Sequence, residues 1–330
     1  MGLLNILTGI ASILNPKNLS YQSKSLFPKE FDYYWDIKSK EWDKFSRNFK
    51  ALPYDDKSLL TTVLSERLER LDSPYQDWRT SDHDIYYKTY LEASQEVARA
   101  WYYRGGGTAD TVSDDAVENF VHHLITARSL LNDCMDHPDT DGLACEKYIT
   151  VQLGISDDLA KIYKTLKKMR HIDQNLRNPP NLQGHVNYFN ATCEKWLGSH
   201  DEMFAFAREY AMKDTGYGYM ASLICHAHLQ MWLYLIAFDE DEAAAGAYFT
   251  QQTVKDELLA AHNWFLSNVN DDTSGFNIMA HNMFTGLLYW SEEHEAAQYH
   301  FRAMKKRATP FPWMYIGTTD LNKARKLYQE

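Results

Sequence analysis

Apolar side chains recur three and four residues apart along almost the whole chain, and no stretch sustains the period-two alternation of a half-buried strand. That feature predicts an all-α protein. The segment from Lys195 to Arg208 shows the pattern most fully. Gly198 supplies a turn position without steric cost, and Ser199 is a good N-cap. Glu202 three residues on completes a capping box, and Asp201 and Glu202 suit the positive end of the helix dipole. Met203, Phe206, Ala207 and Tyr210 then form an apolar stripe that must be buried. With 9 Pro and 15 Gly, the chain is too poor in turn residues for a many-turned β protein or a disordered one.

Taken in order, residues 1–20 form a short amphipathic helix or tail, with Leu3, Leu4, Ile6, Leu7, Ile10, Ile13 and Leu14 at helical spacing before Asn15-Pro16. It has no basic n-region, is too short to span a bilayer, and carries no Lys or Arg before Lys17, so docking on the core is expected over membrane contact. Residues 21–330 form a single helical-repeat domain, with a point of subdivision near 178–181. From Phe31 to Arg70 the periodicity predicts two helices, broken at Leu52-Pro53-Tyr54-Asp55-Asp56. Further helices are expected over Ser81–Tyr103, from Ser113 or Asp114 to Met135, over Leu143–Leu153, and from Ser156 onward. In the last of these Leu159, Ile162, Tyr163, Leu166 and Met169 face inward, and Lys161, Lys164, Lys167 and Lys168 form a solvated face. Beyond the loop Asn178-Pro179-Pro180-Asn181, helices are expected at Tyr188–Cys193, after Ser199, and from about Tyr217 to Phe238. Ala243–Phe249 continues toward Leu266, and Phe276–Tyr289, Glu292–Arg307 and Leu321–Tyr328 complete the set.

The chain carries 34 Lys and Arg against 45 Asp and Glu, a net charge of −11. Nucleic acid and anionic membranes need a basic footprint, so both are excluded as expected partners. A basic protein is the better match, through electrostatic steering. The four cysteines have no metal spacing and sit singly in helical runs, which fits buried, reduced thiols of a cytoplasmic protein.

No catalytic residue, metal ligand or cofactor is predicted, and the chain is not read as an enzyme. His226 and His228 project about 200° apart on a helix, so they cannot share one ion, and His122-His123 has the same defect. No His-Glu-x-x-His or Gly-x-Ser-x-Gly motif occurs. Arg104-Gly105-Gly106-Gly107 lacks the strand before it and the Lys-Ser or Lys-Thr after it that a phosphate loop needs.

Helical hairpins of about 34 residues, with small residues where helices cross, mark tetratricopeptide arrays. Ala127, Leu131 and Cys134 before Pro138 fit such a second helix, and Gly286, Tyr289, Ala297 and Phe301 fit another. A degenerate tetratricopeptide-like α-solenoid of antiparallel hairpins is the predicted architecture. The chain also resembles a bacterial family of tetratricopeptide-like proteins classed as a domain of unknown function. The resemblance rests on Ala98-Arg99-Ala100-Trp101-Tyr102-Tyr103-Arg104-Gly105, on Phe120 to Pro138, and on Trp196 to Ala207, and it covers roughly residues 30 to 240. Such proteins look like ones found in toxin–immunity neighbourhoods. The resemblance therefore implies an immunity protein that binds and neutralises a cognate toxin, with a peptide-binding scaffold or chaperone-like adaptor as the alternative. Tyr217, Tyr219, Trp232 and the run Asp239, Glu240, Asp241 and Glu242 are the expected partner-binding residues, since aromatic anchors inside an acidic rim suit a basic partner.

Overall fold

The computed structural model describes residues 33–68, 85–105, 111–270, 274–304, 307–309 and 311–328. The expected N-terminal helix and the start of the Ser81–Tyr103 helix lie outside them. Among the described residues every regular element is helical and none is a strand. The chain divides into two compact units, whose described parts are residues 33–191 and 192–328.

In the first unit, α1 (Tyr33–Lys38), α2 (Trp42–Ala51) and α3 (Tyr54–Leu68) occupy the segment expected to hold two helices. The extra break is a tight turn at Ser39-Lys40-Glu41, where Lys40 adopts φ 59°. The Lys40 and Glu41 N–H groups close it by donating to the Ile37 and Asp36 carbonyls, at 3.1 and 2.9 Å. Next come α4 (Ile85–Arg104), α5 (Asp114–Asp136), α6 (Gly142–Ile155), α7 (Leu159–Leu176) and α8 (Leu182–Thr192). Consecutive helices from α4 to α7 pack on one another, and α4 also packs on α3 and α6. Three starts are capped by side chains: Ser113, Asp141 and Asp158 accept from the backbone N–H of Ala116, Leu143 and Lys161. The inward face of α5 is the periodic one, with Phe120, Leu124, Ala127, Leu131 and Cys134 all buried.

The middle of this unit is polar. Ser58 Oγ donates to Glu146 Oε2 at 2.6 Å, and Asn181 Nδ2 donates to the same oxygen and to the Tyr54 hydroxyl, both at 2.9 Å. Tyr86 donates to Asp141 Oδ1 at 2.5 Å. Burial pushes the Asp141 carboxyl up to about 6 and that of Asp173 up to about 7, against which their hydroxyl and amide neighbours pull down. Gly142 lets α6 start in this layer, because a Cβ there would run into the Tyr54 hydroxyl and Asp173.

The second unit holds α9 (His200–Ala211), a short 3-10 turn (Gly218–Ala221), α10 (Ser222–Ala237), α11 (Glu242–Tyr248) and α12 (Gln252–Asn268). These lead to α13 (Gly275–Trp290), α14 (His294–Met304), α15 (Trp313–Ile316) and α16 (Thr318–Tyr328). The start of α9 follows the sequence: Ser199 accepts from the Glu202 N–H, and Met203, Phe206, Ala207 and Tyr210 are buried. The Glu202 carboxylate accepts from the Ser199 hydroxyl at 3.0 Å. Gly198 has a steric reason rather than a conformational one, since a Cβ would collide with the backbone of Thr192.

Helix α10 is the hub, packing on α9, α11, α12 and α13. Residues Gly218–Ala237 are long and apolar enough to cross a membrane, but 67% of the qualifying window is buried, as in a core helix. The helix expected to run on from Ala243 toward Leu266 is two helices. It breaks after Tyr248, where the Thr250 hydroxyl donates to the Ala247 carbonyl at 2.9 Å and Gln251 turns extended (ψ 134°). Apolar periodicity passes through that break because Phe249 and Val254 are both buried.

Replacing Gly142 with Ala is expected to destabilise the protein by about 1–3 kcal/mol, the usual cost of forcing extra volume into a packed interior. Urea unfolding measures it. A neutral substitution would mean that Tyr54 and Asp173 move aside freely.

Candidate functional site

The site begins where α10 ends. Tyr234 and Phe238 are one turn apart, and their rings stack at 4.9 Å with planes 17° apart. Phe238 is 49% exposed, an unusual position for a large apolar ring. The His200 ring meets Tyr234 edge-on at 4.5 Å, and His200 Nε2 lies 3.6 Å from Glu194 Oε2. Partial burial, then Glu194 and Asp239, push the Tyr234 phenol upward, which places both carboxylates near its ring.

The chain then folds back on the helix end. Phe238 and Asp239 donate their N–H groups to the Tyr234 carbonyl at 2.9 and 3.2 Å, and Asp241 donates to the Leu235 carbonyl at 2.9 Å. Glu240 makes the turn in the left-handed region, at φ 53°. Asp241 Oδ1 accepts from the Ala244 N–H at 2.9 Å and so caps α11. Asp241 and Glu242 therefore sit at a helix N-terminus, where negative charge is favoured. Asp239 and Glu240 sit at the C-terminus of α10, where the macrodipole opposes them. All four are exposed, and none has an ion-pair partner among the described residues.

The other expected partner-binding residues lie elsewhere. Tyr219 is buried against Phe276 at 5.4 Å, and Tyr217 is half-buried 6.0 Å from it, at the opposite end of α10 from the acidic run. The 16 residues of α10 put roughly 24 Å between those ends. Trp232 packs in a cluster with Trp290 at 4.7 Å and Phe249 at 6.3 Å, and the Trp290 indole donates to Asp320 at 3.2 Å. The acidic run thus stands with Phe238, Tyr234, His200 and Glu194. The expected binding residues leave out Phe238 and Tyr234, although their i,i+4 spacing just before four acids is a visible signal.

Behind this surface a polar chain joins four helices. Arg208 of α9 donates from Nε and Nη2 to Glu257 of α12, at 2.7 and 3.0 Å. Glu257 Oε2 lies 3.2 Å from His228 Nε2 of α10, and His228 Nδ1 meets the Tyr248 hydroxyl of α11 at 2.9 Å. His228 and then Arg208 hold the Glu257 carboxyl down at about 2, while partial burial works against them. His228 Nδ1 is hydrogen-bonded to the Tyr248 hydroxyl, while Nε2 stands at ion-pair distance from Glu257 without hydrogen-bond alignment. The order hydroxyl–imidazole–carboxylate is that of an activated nucleophile. Here the tyrosine is only 8% exposed, and burial pushes its pKa up, so the chain works as a tie between helices.

His226 points away from His228, as the helical spacing requires. His226 stacks on Phe311 at 5.2 Å, on a different side of α10 from His228. His300 bridges His262 and His281 through its two ring nitrogens, at 2.9 and 2.8 Å. Using both nitrogens of one ring in this way makes a hydrogen-bonded relay. Among the described residues no group of three His, Cys, Asp or Glu is arranged to hold a metal ion. All four cysteines are free and buried, and burial pushes the thiols of Cys134, Cys145 and Cys193 up to about 12. No family model, curated protein or solved structure matches the chain.

The buried titratable groups give the two units opposite pH dependences. Burial lowers His226 and His281 to about 3 and lowers His300 as well, so their stabilising contribution declines as pH falls from about 6.5 toward 3. Asp141 and Asp173 are raised, so their contribution is fully present below about 3.9 and is lost as pH rises through about 6 and 7. Hydrogen exchange at pH 7.5 and pH 5, corrected for intrinsic rates, is expected to show residues 192–328 less protected and residues 33–191 more protected at the lower pH. Asp173→Asn should flatten the second trend. Parallel shifts in both units would contradict the assignment.

Proposed function

We propose that this protein binds a basic protein through the acidic, aromatic end of α10, and that its role is that of a bacterial immunity protein neutralising a cognate toxin. The observation that carries this reading is Phe238, half exposed and stacked on Tyr234, rimmed by Glu194 and the carboxylates of residues 239–242. Asp239 and Glu240 stand where the helix dipole makes negative charge costly for folding. A site kept against local stability is a mark of selection for binding. An aromatic anchor with a charged rim is the usual anatomy of a tight interface, the anchor supplying affinity and the rim supplying rate and partner choice.

A tetratricopeptide-like arrangement of the hairpins belongs to the same proposal. The consecutive packing of α4 through α7 supports it. The bacterial family that the sequence resembles supports the toxin-binding role, and a cytoplasmic location would follow from that role.

Co-expression with the product of the adjacent gene, followed by mass measurement of the complex and a growth assay, tests the proposal. A one-to-one complex that restores growth is expected. Phe238→Ala should weaken it by about 10- to 100-fold, as for a central anchor. Neutralising Asp239 and Glu240 together should lower the association rate and its salt dependence. No complex and no protection would overturn the toxin-binding role. A complex indifferent to all three substitutions would overturn the surface.

A further inference from the structure

Among the described residues eleven large apolar side chains are exposed, and six of them lie on α4 and α5: Ile85, Tyr102, Tyr103, Val117, Val121 and Ile125. Val117, Val121 and Ile125 are 44%, 37% and 48% exposed and fall four residues apart, so they form one ridge along α5. They run along one flank of the stripe formed by Phe120, Leu124, Ala127 and Leu131, which are buried. The ridge continues into Asp114 at one end and Arg128 at the other, both exposed. From Asp114 to Arg128 it spans about 21 Å at the rise of an α-helix.

This ridge is its own complement. Reversed about Val121, the order acid, Val117, Val121, Ile125, base places Ile125 opposite Val117 and Arg128 opposite Asp114. We propose that α5 pairs antiparallel with α5 of a second copy of the chain, about a two-fold axis at Val121. Asp114 of each copy then faces Arg128 of the other, two charge pairs flanking an apolar seam. A two-fold interface requires one patch to match itself, and this one does. A purely basic partner would leave Arg128 facing like charge, whereas a second copy pairs it twice. A shallow crossing near 20° keeps both ends of the ridges together.

The seam is short and lies at the small end of stable interfaces, so association in the micromolar range follows. The pairing uses residues of the first unit and does not rest on the toxin-binding reading, which uses residues of the second.

Sedimentation of the full chain between about 1 and 100 µM tests the pairing across that range. The wild-type mass is expected to approach twice 38.4 kDa with rising concentration. Val121→Glu should remain at 38.4 kDa throughout, with an unchanged far-UV spectrum, because the side chain lies on the surface. Asp114→Arg and Arg128→Asp should each weaken the dimer about tenfold or more by setting like charges face to face, and the double swap should bring it back to within about threefold. A wild type that stays monomeric, or a Val121→Glu variant that still dimerises, overturns the proposal. A double swap no tighter than either single change overturns the antiparallel register.

Discussion

The second unit depends on one polar chain that runs from the surface at Arg208 to buried His228 and Tyr248. Arg208, Glu257, His228 and Tyr248 come from α9, α12, α10 and α11, and each link is at 3.2 Å or less. Because α10 is mostly apolar, its packing alone would tolerate small rotations and slides along the axis. The chain restrains its rotation, since one setting gives His228 both its hydrogen bond to Tyr248 and its close approach to Glu257. The same setting turns Tyr234 and Phe238 away from the interior, about 120° and 80° around the axis from His228. The proposed binding surface is thus a consequence of where His228 is held. Loss of one partner of such a chain leaves buried polar groups unpaired, which costs more than the bond itself contributed.

The first unit solves a different problem by other means. Its interior holds Asp141, Glu146 and Asp173, and hydroxyl and amide groups of Ser58, Tyr86 and Asn181 answer the first two. Burial pushes Asp141 and Asp173 toward the protonated form, and the charge of Lys57 offsets this only in part at Asp141. Such a layer gives up some stability near neutral pH. It also fixes how α3, α4, α6 and α7 pack, because few arrangements satisfy so many polar atoms together.

Helices and their buried faces were legible in the sequence because they are local. The α5 face from Phe120 to Cys134 and the α9 face from Met203 to Tyr210 follow from spacing, and the cap at Ser199 from residue type. The break after Tyr248 was not legible, since buried Phe249 and Val254 keep the apolar period going across it. Nor was the site. Arg208 and Glu257 are 49 positions apart, and no periodicity pairs them. Tyr219 reads as a surface anchor although it is buried, because aromatic residues serve both cores and interfaces. The acidic run was legible as charge, while its pairing with Phe238 required knowing that α10 stops there.

If the polar chain holds the binding end of α10 in place, breaking one link must loosen that end first. Hydrogen exchange on Glu257→Gln tests this directly. Faster exchange is predicted in the last turn of α10 and through residues 239–242, with residues 33–191 unchanged. Unaltered protection at the end of α10, in a variant that still folds, would contradict it.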